Sequence, residues 1–212
     1  MVRVLSLALV VALLATGVAS ADRGDPQERF TPSDQARARA MLIRGSDLSP
    51  AYAARPAARA SADYCAALDE SDLTLTGRGN SPNFTAATEY LTSSSSVYAT
   101  RSDSDASWVR GTSKAGEQCL RQAVRSALQG TVVRLVSFKR VPFPKRGARS
   151  VAYRALATIE GVRVYMDVVA MQVSRAQASV FYVSALVPAP AAELRRLSAV
   201  VAKRAANAMR GS

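Results

Sequence analysis

The residue types that perform most nucleophilic catalysis and metal binding are scarce in this chain. It has no histidine, so neither a Ser-His-Asp nor a Cys-His nucleophile system can be assembled. Its two cysteines cannot complete a zinc site without imidazole ligands. No lysine stands three positions after a serine, and no glycine-rich phosphate loop of the Gly-x-x-x-x-Gly-Lys type is present. We therefore expect a non-enzymatic protein with no metal site and no cofactor.

Paired carboxylates are the remaining catalytic option, because a glycosidase needs only two suitably spaced acids. Asp167 is the unusual acid, since it interrupts an apolar run that is typical of a strand. If residues 160–161 form a two-residue hairpin link, counting outward along both strands sets Arg154 opposite Asp167. This register predicts a structural ion pair between the two side chains. A hydrolase that uses Asp167 is the less favoured alternative.

The same strand pattern predicts a mixed polar face that suits ligand binding. Arg163, Tyr165 and Asp167 alternate with apolar residues and must point to one face, and the hairpin register adds Arg154. Tyr182 lies on the next strand, where the register does not fix its face. These five residues predict a cleft for an anionic or amphipathic ligand. The alternative is a sheet face only partly covered by a helix, with tyrosines that reach out to water.

The positive charge of the chain lies almost entirely in its second half. Up to Glu117 there are 12 Lys and Arg against 13 Asp and Glu, and from Gln118 onward there are 16 against 3. A net charge of +13 in one half favours anionic partners. For an exported protein these are an anionic lipid, a glycan or an acidic envelope protein rather than nucleic acid. An arginine-rich surface that only keeps the protein soluble is the alternative.

The N-terminal residues predict export. Arg3 gives a positive start, residues 4–18 form an apolar run, and Ala19-Ser20-Ala21 presents the small-x-small pattern of a signal-peptidase site. The run is shorter than the roughly 20 residues that cross a bilayer, so no transmembrane segment is expected in the mature form. The predicted organisation is a signal peptide over 1–21, a flexible leader over 22–30 and one globular domain over 31–212. The expected location is extracellular, secreted or in the cell envelope.

The two cysteines favour a single disulfide between Cys65 and Cys119. An even cysteine count in an exported chain usually indicates pairing, because the compartment is oxidising. Chain-entropy arithmetic for a loop of this size gives roughly 4 kcal/mol of stabilisation. Two buried free thiols are the alternative, and they would require a reducing compartment.

The hydrophobic periodicities predict an α+β domain with a mainly antiparallel sheet flanked by helices. The expected helices cover 32–44, 103–129 and 188–210, with Cys119 on the inward face of the second. The expected strands are 73–77, 84–99 (one strand or a hairpin), 132–141, 148–159, 162–172 and 178–187. Short links between the last strands favour antiparallel neighbours.

The connection at 141–147 offers a second functional hypothesis. It is basic, it contains two prolines, and exposed loops of this kind often make contacts. The alternative function is therefore a protein-interaction module that docks on an envelope enzyme or protease through this loop. The sequence leaves the oligomeric state open.

Diffuse stretches across the mature chain carry a family resemblance. They are Ala40-Met-Leu-Ile-Arg-Gly-Ser-Asp-Leu48, Tyr64-Cys-Ala-Ala-Leu68, Ser71-Asp-Leu-Thr-Leu-Thr-Gly77, Ser93 to Arg101, the Cys119 helix and Arg175-Ala-Gln-Ala-Ser-Val180. On these the chain resembles small exported actinobacterial proteins grouped with PknH-like extracellular sensor domains and LpqN-type envelope proteins. The resemblance implies a PsbP-like α/β/α sandwich and a sensor-like ligand cleft. The chain departs from the kinase-linked members, which follow a membrane helix and typically hold two disulfides.

Overall fold

The computed structural model describes residues 17–18, 24–57, 59–60, 65–127 and 133–210. Apart from Gly17–Val18, the predicted signal peptide lies outside these residues. The described strands are β1 (Gly17–Val18), β2 (Gln27–Glu28), β3 (Ala53–Arg55), β4 (Arg59–Ala60), β5 (Thr74–Asn80), β6 (Asn83–Ala86), β7 (Glu89–Tyr98), β8 (Val133–Val141), β9 (Arg149–Ile159), β10 (Val162–Val173) and β11 (Ala176–Ala185). The described α-helices are α1 (Pro32–Met41), α2 (Arg101–Thr112), α3 (Lys114–Ala127) and α4 (Ala191–Ala208). Short 3₁₀ turns cover Gly45–Asp47 and Ala66–Leu68.

One sheet organises the domain. Its strands follow the order β2-β5-β7-β11-β10-β9-β8, and β6 continues the line of β5 beside the first half of β7. Pairing is antiparallel throughout this sheet except between β2 and β5, and β3 pairs with β6. A separate parallel pair joins β1 and β4. The predicted mainly antiparallel sheet flanked by helices is confirmed.

Helices pack on both faces of the sheet. On one face, Leu197 and Val201 of α4 join a core cluster with Val169, Met171 and Val180 of the sheet. We call this the α1/α4 face, because α1 also lies there: the α1 residues Ala38 and Met41 pack with Val97 and Ala205. A separate cluster of Trp108, Val151 and Tyr153 joins α2 to the other face. That second side is the α2/α3 face.

The β9–β10 hairpin has the predicted register. Glu160 and Gly161 form a two-residue link with φ of 49° and 82°, the left-handed geometry of a tight hairpin turn. Ile159 pairs with Val162, as the count outward from the turn requires. The alternation of side chains along both strands is therefore fixed by the sequence at this turn.

The prediction of one continuous helix over 103–129 is wrong, because two helices cover this region. α2 ends at Thr112, and Ser113 starts α3, since its hydroxyl accepts a 2.9 Å hydrogen bond from the Gly116 amide. After the break, Gly116 is buried and Ala115 is exposed. Cys119 is buried, as predicted.

The disulfide between Cys65 and Cys119 is confirmed. It spans 54 positions and ties the segment before β5 to α3, with a Cα–Cα distance of 6.1 Å. Nearby, Arg110 on α2 holds the same segment through Asp72, at 2.6 Å and 2.7 Å. Both contacts fix the α2/α3 layer against the N-terminal part of the chain.

The end of the predicted flexible leader is paired with the sheet. Backbone hydrogen bonds run from the Gln27 amide to the Leu73 carbonyl, at 2.8 Å, and from the Arg29 amide to the Leu75 carbonyl, at 2.9 Å. These bonds pair with backbone groups along the open edge of β5, and this pairing explains why the segment is ordered. Within the part of the chain that the structure describes, no helix is both long and apolar enough to span a membrane.

Candidate functional site

The candidate site is the part of the α1/α4 face formed by β8, β9 and β10. Every second residue of β9 from Val151 to Ile159 is buried towards the α2/α3 side, whereas the residues between them are partly exposed after Ala152. On β10, Arg163 is exposed and Tyr165 half-buried, while the neighbouring Val164 is buried. The α1/α4 side of these strands therefore meets solvent over Arg154, Arg163 and Tyr165.

Strand register aligns the polar residues of this face in rows across the sheet. One row joins Arg134 of β8, Thr158 of β9 and Arg163 of β10. Adjacent strands lie about 4.8 Å apart, so the Cα atoms of the two arginines are about 10 Å apart. A second row begins with Lys139, which pairs directly with Arg154. This row lies about 13 Å from the first, because Thr158 and Arg154 are four residues apart on β9 at about 3.3 Å per residue.

We call this surface the basic face. It comprises Arg134, Lys139, Arg154, Leu156, Arg163 and Tyr165. Arg134, Lys139 and Arg163 are exposed, and no carboxylate pairs with them within the part of the chain that is described. Asp167 balances the charge of Arg154, which lies directly opposite Lys139, so the positive charge of the face comes from Arg134, Lys139 and Arg163. The arrangement therefore favours an anion that rests on the face.

Arg154 and Asp167 form the predicted ion pair. Arg154 Nε donates to one carboxylate oxygen of Asp167 at 2.7 Å, and Nη2 donates to the other at 3.2 Å. The Asp167 side chain is 1% exposed and that of Arg154 is 28% exposed. Burial raises the pKa of Asp167 above its ordinary value, and the hydrogen bond from Arg154 lowers it in part. Both carboxylate oxygens are occupied, which suits a structural role.

Tyr182 belongs to the same face, which the sequence had left open. It lies directly across from Asp167 on β11, and its hydroxyl lies 3.1 Å from the Tyr52 hydroxyl. Tyr52 in turn donates to a carboxylate oxygen of Glu89. Burial, with the Glu89 carboxylate beside it, raises the pKa of Tyr52 to about 12. Both hydroxyls stay protonated at neutral pH, and Tyr182 is 1% exposed, so it forms the buried border of the face.

A buried hydroxyl lies at the same border. Ser184 is 2% exposed and pairs across the sheet with Tyr165 on one side and with Glu89 on the other. Among the described residues its Oγ atom has no hydrogen-bond partner. An unpaired buried hydroxyl is unusual in a folded protein.

Two apolar side chains flank the basic face. Leu186 and Val187 are 64% and 65% exposed, and the Leu186 amide donates to the Arg163 carbonyl at 2.8 Å. Leu186 has φ of 74°, a left-handed conformation that is unusual for a residue with a branched side chain. Exposed apolar residues beside cations give this edge an amphipathic character.

The sequence placed Arg154, Arg163, Tyr165 and Asp167 on one face, and the structure brings these four together. It missed Arg134 and Lys139, which double the number of cations there. The signal that could have found them is the β8–β9 register. A bulge between Leu135 and Ser137 interrupts that register, and a long connection precedes β9, so counting from a turn fails.

No model of a known protein family matches the chain, and no curated protein is significantly similar to it in sequence.

Proposed function

We propose that the protein is a secreted, non-enzymatic binding domain of the cell envelope that holds an anionic or amphipathic ligand on its basic face. The observation that carries this proposal is the set of three exposed cations, Arg134, Lys139 and Arg163, that have no carboxylate partner among the described residues. Arg134 and Lys139 project from β8 and Arg163 from β10, on either side of β9, and the nearest acid of the face, Asp167, is bonded to Arg154.

The charge distribution supports an anionic ligand. All three strands of the basic face lie in the half of the chain that carries a net charge of +13. Each Lys or Arg close to an anionic surface contributes about 1 kcal/mol at physiological salt. Three such cations give about 3 kcal/mol, or roughly a 100-fold gain in affinity.

The edge of the face supports an amphipathic ligand. Leu186 and Val187 stand in solvent beside Arg163, and Tyr165 and Leu156 add partly exposed apolar surface between the cations. A ligand with an acidic head and an apolar body would meet both kinds of surface. Acidic envelope lipids have this chemistry, whereas acidic glycans share only the charge.

A non-enzymatic role fits the chemistry of the face. The chain has no histidine, and the acid of the face, Asp167, is buried with both oxygens bonded to Arg154. We extend the proposal to the family: helices on both faces of an antiparallel sheet support the resemblance to the PsbP-like sandwich of PknH-like and LpqN-type proteins. The disulfide supports maturation in an oxidising compartment.

The proposal is tested by binding of the mature protein to vesicles of phosphatidylglycerol, vesicles of phosphatidylcholine, and heparin as a soluble acidic glycan. The variant is the triple substitution Arg134→Ala, Lys139→Ala and Arg163→Ala. The matched control is Arg125→Ala, Arg195→Ala and Lys203→Ala, which removes three exposed cations from α3 and α4.

We expect binding to an anionic partner, none to phosphatidylcholine vesicles, and roughly 100-fold weaker binding for the basic-face variant. The control should bind like the parent protein. Preference for phosphatidylglycerol over heparin would identify a lipid, and equal binding would identify charge alone. Equal loss in both triple variants would overturn the assignment of the site, because net charge rather than the basic face would then explain binding.

A further inference from the structure

A groove on the opposite side of the sheet has a composition that the basic face does not explain. It lies between α2 and the connection from β8 to β9, encloses about 350 Å³, and is lined by both aromatic and cationic side chains. The lining residues used below are Trp108, Arg140, Phe143, Lys145, Arg149 and Ser150. We call this the Trp108 groove.

The apolar part of the groove comes from α2 and the β8–β9 connection. Trp108 is 8% exposed and packs with Val151 and Tyr153 in a cluster on the α2/α3 face. Phe143 is half-buried; it borders the same space at the edge of the sheet and also packs against the core cluster of the α1/α4 face. The groove thus offers an aromatic lining for a ring or short chain. Its volume lies at the lower end of the roughly 300–1,000 Å³ typical of small-molecule sites.

The connection that forms one side of the groove is fixed in place. Gly147 has φ of 65°, and a Cβ atom there would lie 2.4 Å from the Gln172 carbonyl oxygen of β10. The Arg146 amide donates to Ser150 Oγ at 3.0 Å, and the Ala148 amide donates to the Gln172 carbonyl at 2.9 Å. These contacts pre-organise the groove, which lowers the entropy cost of binding.

Two arginines at the groove are bonded to the protein through Nη2, and their Nε and Nη1 donors have no partner among the described residues. Arg140 donates through Nη2 to Glu117 at 2.7 Å, to the Tyr153 hydroxyl at 3.2 Å and to the Thr112 carbonyl at 3.2 Å. Arg149 meets Asp105 through Nη2 at 3.1 Å. A guanidinium carries five N–H donors, and among the described residues no acceptor meets Nε or Nη1 of either arginine. The helix carboxylates therefore hold each arginine in place while leaving donors for a ligand.

The charge balance at the groove is positive. Three cations line it, and the carboxylates that reach them are Glu117 and Asp105. Lys145 is exposed and has no carboxylate partner within the described ranges. The hydrogen bond that Arg140 donates to the Tyr153 hydroxyl and the Glu117 carboxylate raise the pKa of Arg140, and the charge there persists at all physiological pH values. A bound anionic group would neutralise the remaining positive charge of the groove.

We propose that the Trp108 groove is a second binding site, which takes a small organic anion that joins a phosphate or carboxylate to an aromatic ring or a short apolar chain. Lys145, Arg140 and Arg149 bind the anionic group, and Trp108 and Phe143 contact the apolar part. This site goes beyond the proposed function, because it lies on the other face of the sheet and selects a small molecule rather than an extended anionic surface.

The groove contains the only tryptophan of the chain, so intrinsic fluorescence reports its occupancy directly. The probe is phenyl phosphate, titrated against the mature protein with selective excitation of tryptophan. Inorganic phosphate and phenol are the two matched half-ligands. Calorimetry on the same samples checks that the optical change reflects binding.

The test variants are Lys145→Ala for the anionic end and Phe143→Ala for the apolar end. The matched control is the basic-face triple variant, which leaves the groove intact. Lys145→Ala removes a charge-assisted hydrogen bond to the anionic group, so we expect it to weaken phenyl phosphate binding at least tenfold. Thermal unfolding of each variant identifies any loss of folded protein.

We expect a saturable change in Trp108 emission with phenyl phosphate and weaker binding of each half-ligand. Phe143→Ala should weaken phenyl phosphate binding and leave the weak binding of inorganic phosphate unchanged. Equal affinity for phenyl phosphate and inorganic phosphate would overturn the proposal. So would the absence of saturable binding, or affinity that Lys145→Ala leaves unchanged. Because the basic-face control separates the two surfaces, the proposed function stands or falls independently.

Discussion

The ion pair between Arg154 and Asp167 should respond asymmetrically to removal of either partner. Arg154→Ala leaves a carboxylate that is 1% exposed without its cation. Loss of one partner from a buried pair typically costs about 3–5 kcal/mol, because the remaining charge stays desolvated. Asp167→Asn leaves a guanidinium that is 28% exposed and can reach water, so we expect a cost of about 1 kcal/mol.

The pKa of Asp167 determines whether the stability of Arg154→Ala rises or falls with pH. Burial already raises the pKa of Asp167 above 3.8, and removal of Arg154 takes away the hydrogen bond that lowers it. The folded variant then binds a proton that the unfolded chain, with its ordinary carboxyl pKa, releases. Stability of Arg154→Ala should therefore increase relative to the parent as the pH falls from about 7 to 5, by at most about 1.4 kcal/mol per pH unit.

The assay is urea unfolding of the parent, both single variants and the double variant at the two pH values. The double variant should be more stable than Arg154→Ala alone, since the uncompensated charge is absent. Equal destabilisation by the two single variants would refute the reasoning, as would a cost of Arg154→Ala that grows on acidification.

Three further predictions concern the framework that positions the basic face. Reduction of the Cys65–Cys119 bond, which closes a loop of 54 positions, should cost roughly 4 kcal/mol in urea unfolding, and an unchanged midpoint would contradict it. Gly77→Ala should destabilise the domain, because its Cβ would lie 2.3 Å from the Asp34 carbonyl oxygen of α1, whereas Gly111→Ala, with no atom within 4 Å, should stabilise α2 by about 0.5–1 kcal/mol; thermal unfolding checks that opposite sign. The hydrogen bonds from Arg175 hold the pKa of Asp34 well below its ordinary 3.8, so the stability that this pair contributes is present above pH 4 and is lost as the pH falls further. Asp34→Asn should therefore lower the free energy of unfolding by about 3 kcal/mol at pH 7. The difference in stability between this variant and the parent should become smaller in acid.

The parts of the fold that sequence predicted best are those near a short turn. The link at Glu160-Gly161 fixes the register of β9 and β10 and therefore the pairing of Arg154 with Asp167. Tyr182 escaped placement because Ser174 adopts φ of 55° in the next turn, a conformation that serine seldom signals. Its pairing with Asp167 required the full β10–β11 register.

Other features depended on tertiary contacts that local patterns do not encode. The hydrophobic residues recur every three or four positions through both helices, so the hydrophobic pattern does not indicate the break at Ser113. A serine is nevertheless a common N-cap. Order in the segment around Gln27 comes from pairing with a distant strand, which its charged composition does not indicate. The Trp108 groove likewise assembles α2 with a loop more than thirty residues later along the chain.

The most direct measurement of the central claim is the salt dependence of binding to phosphatidylglycerol vesicles for two single charge reversals. Arg163→Glu places an acid in the row shared with Arg134. Arg195→Glu makes the same change in net charge at an exposed position of α4. The account predicts that Arg163→Glu weakens binding strongly at low salt and that Arg195→Glu stays close to the parent, with the difference shrinking as added salt screens the charges. Equal weakening by the two reversals, or binding that does not change with salt, would contradict it.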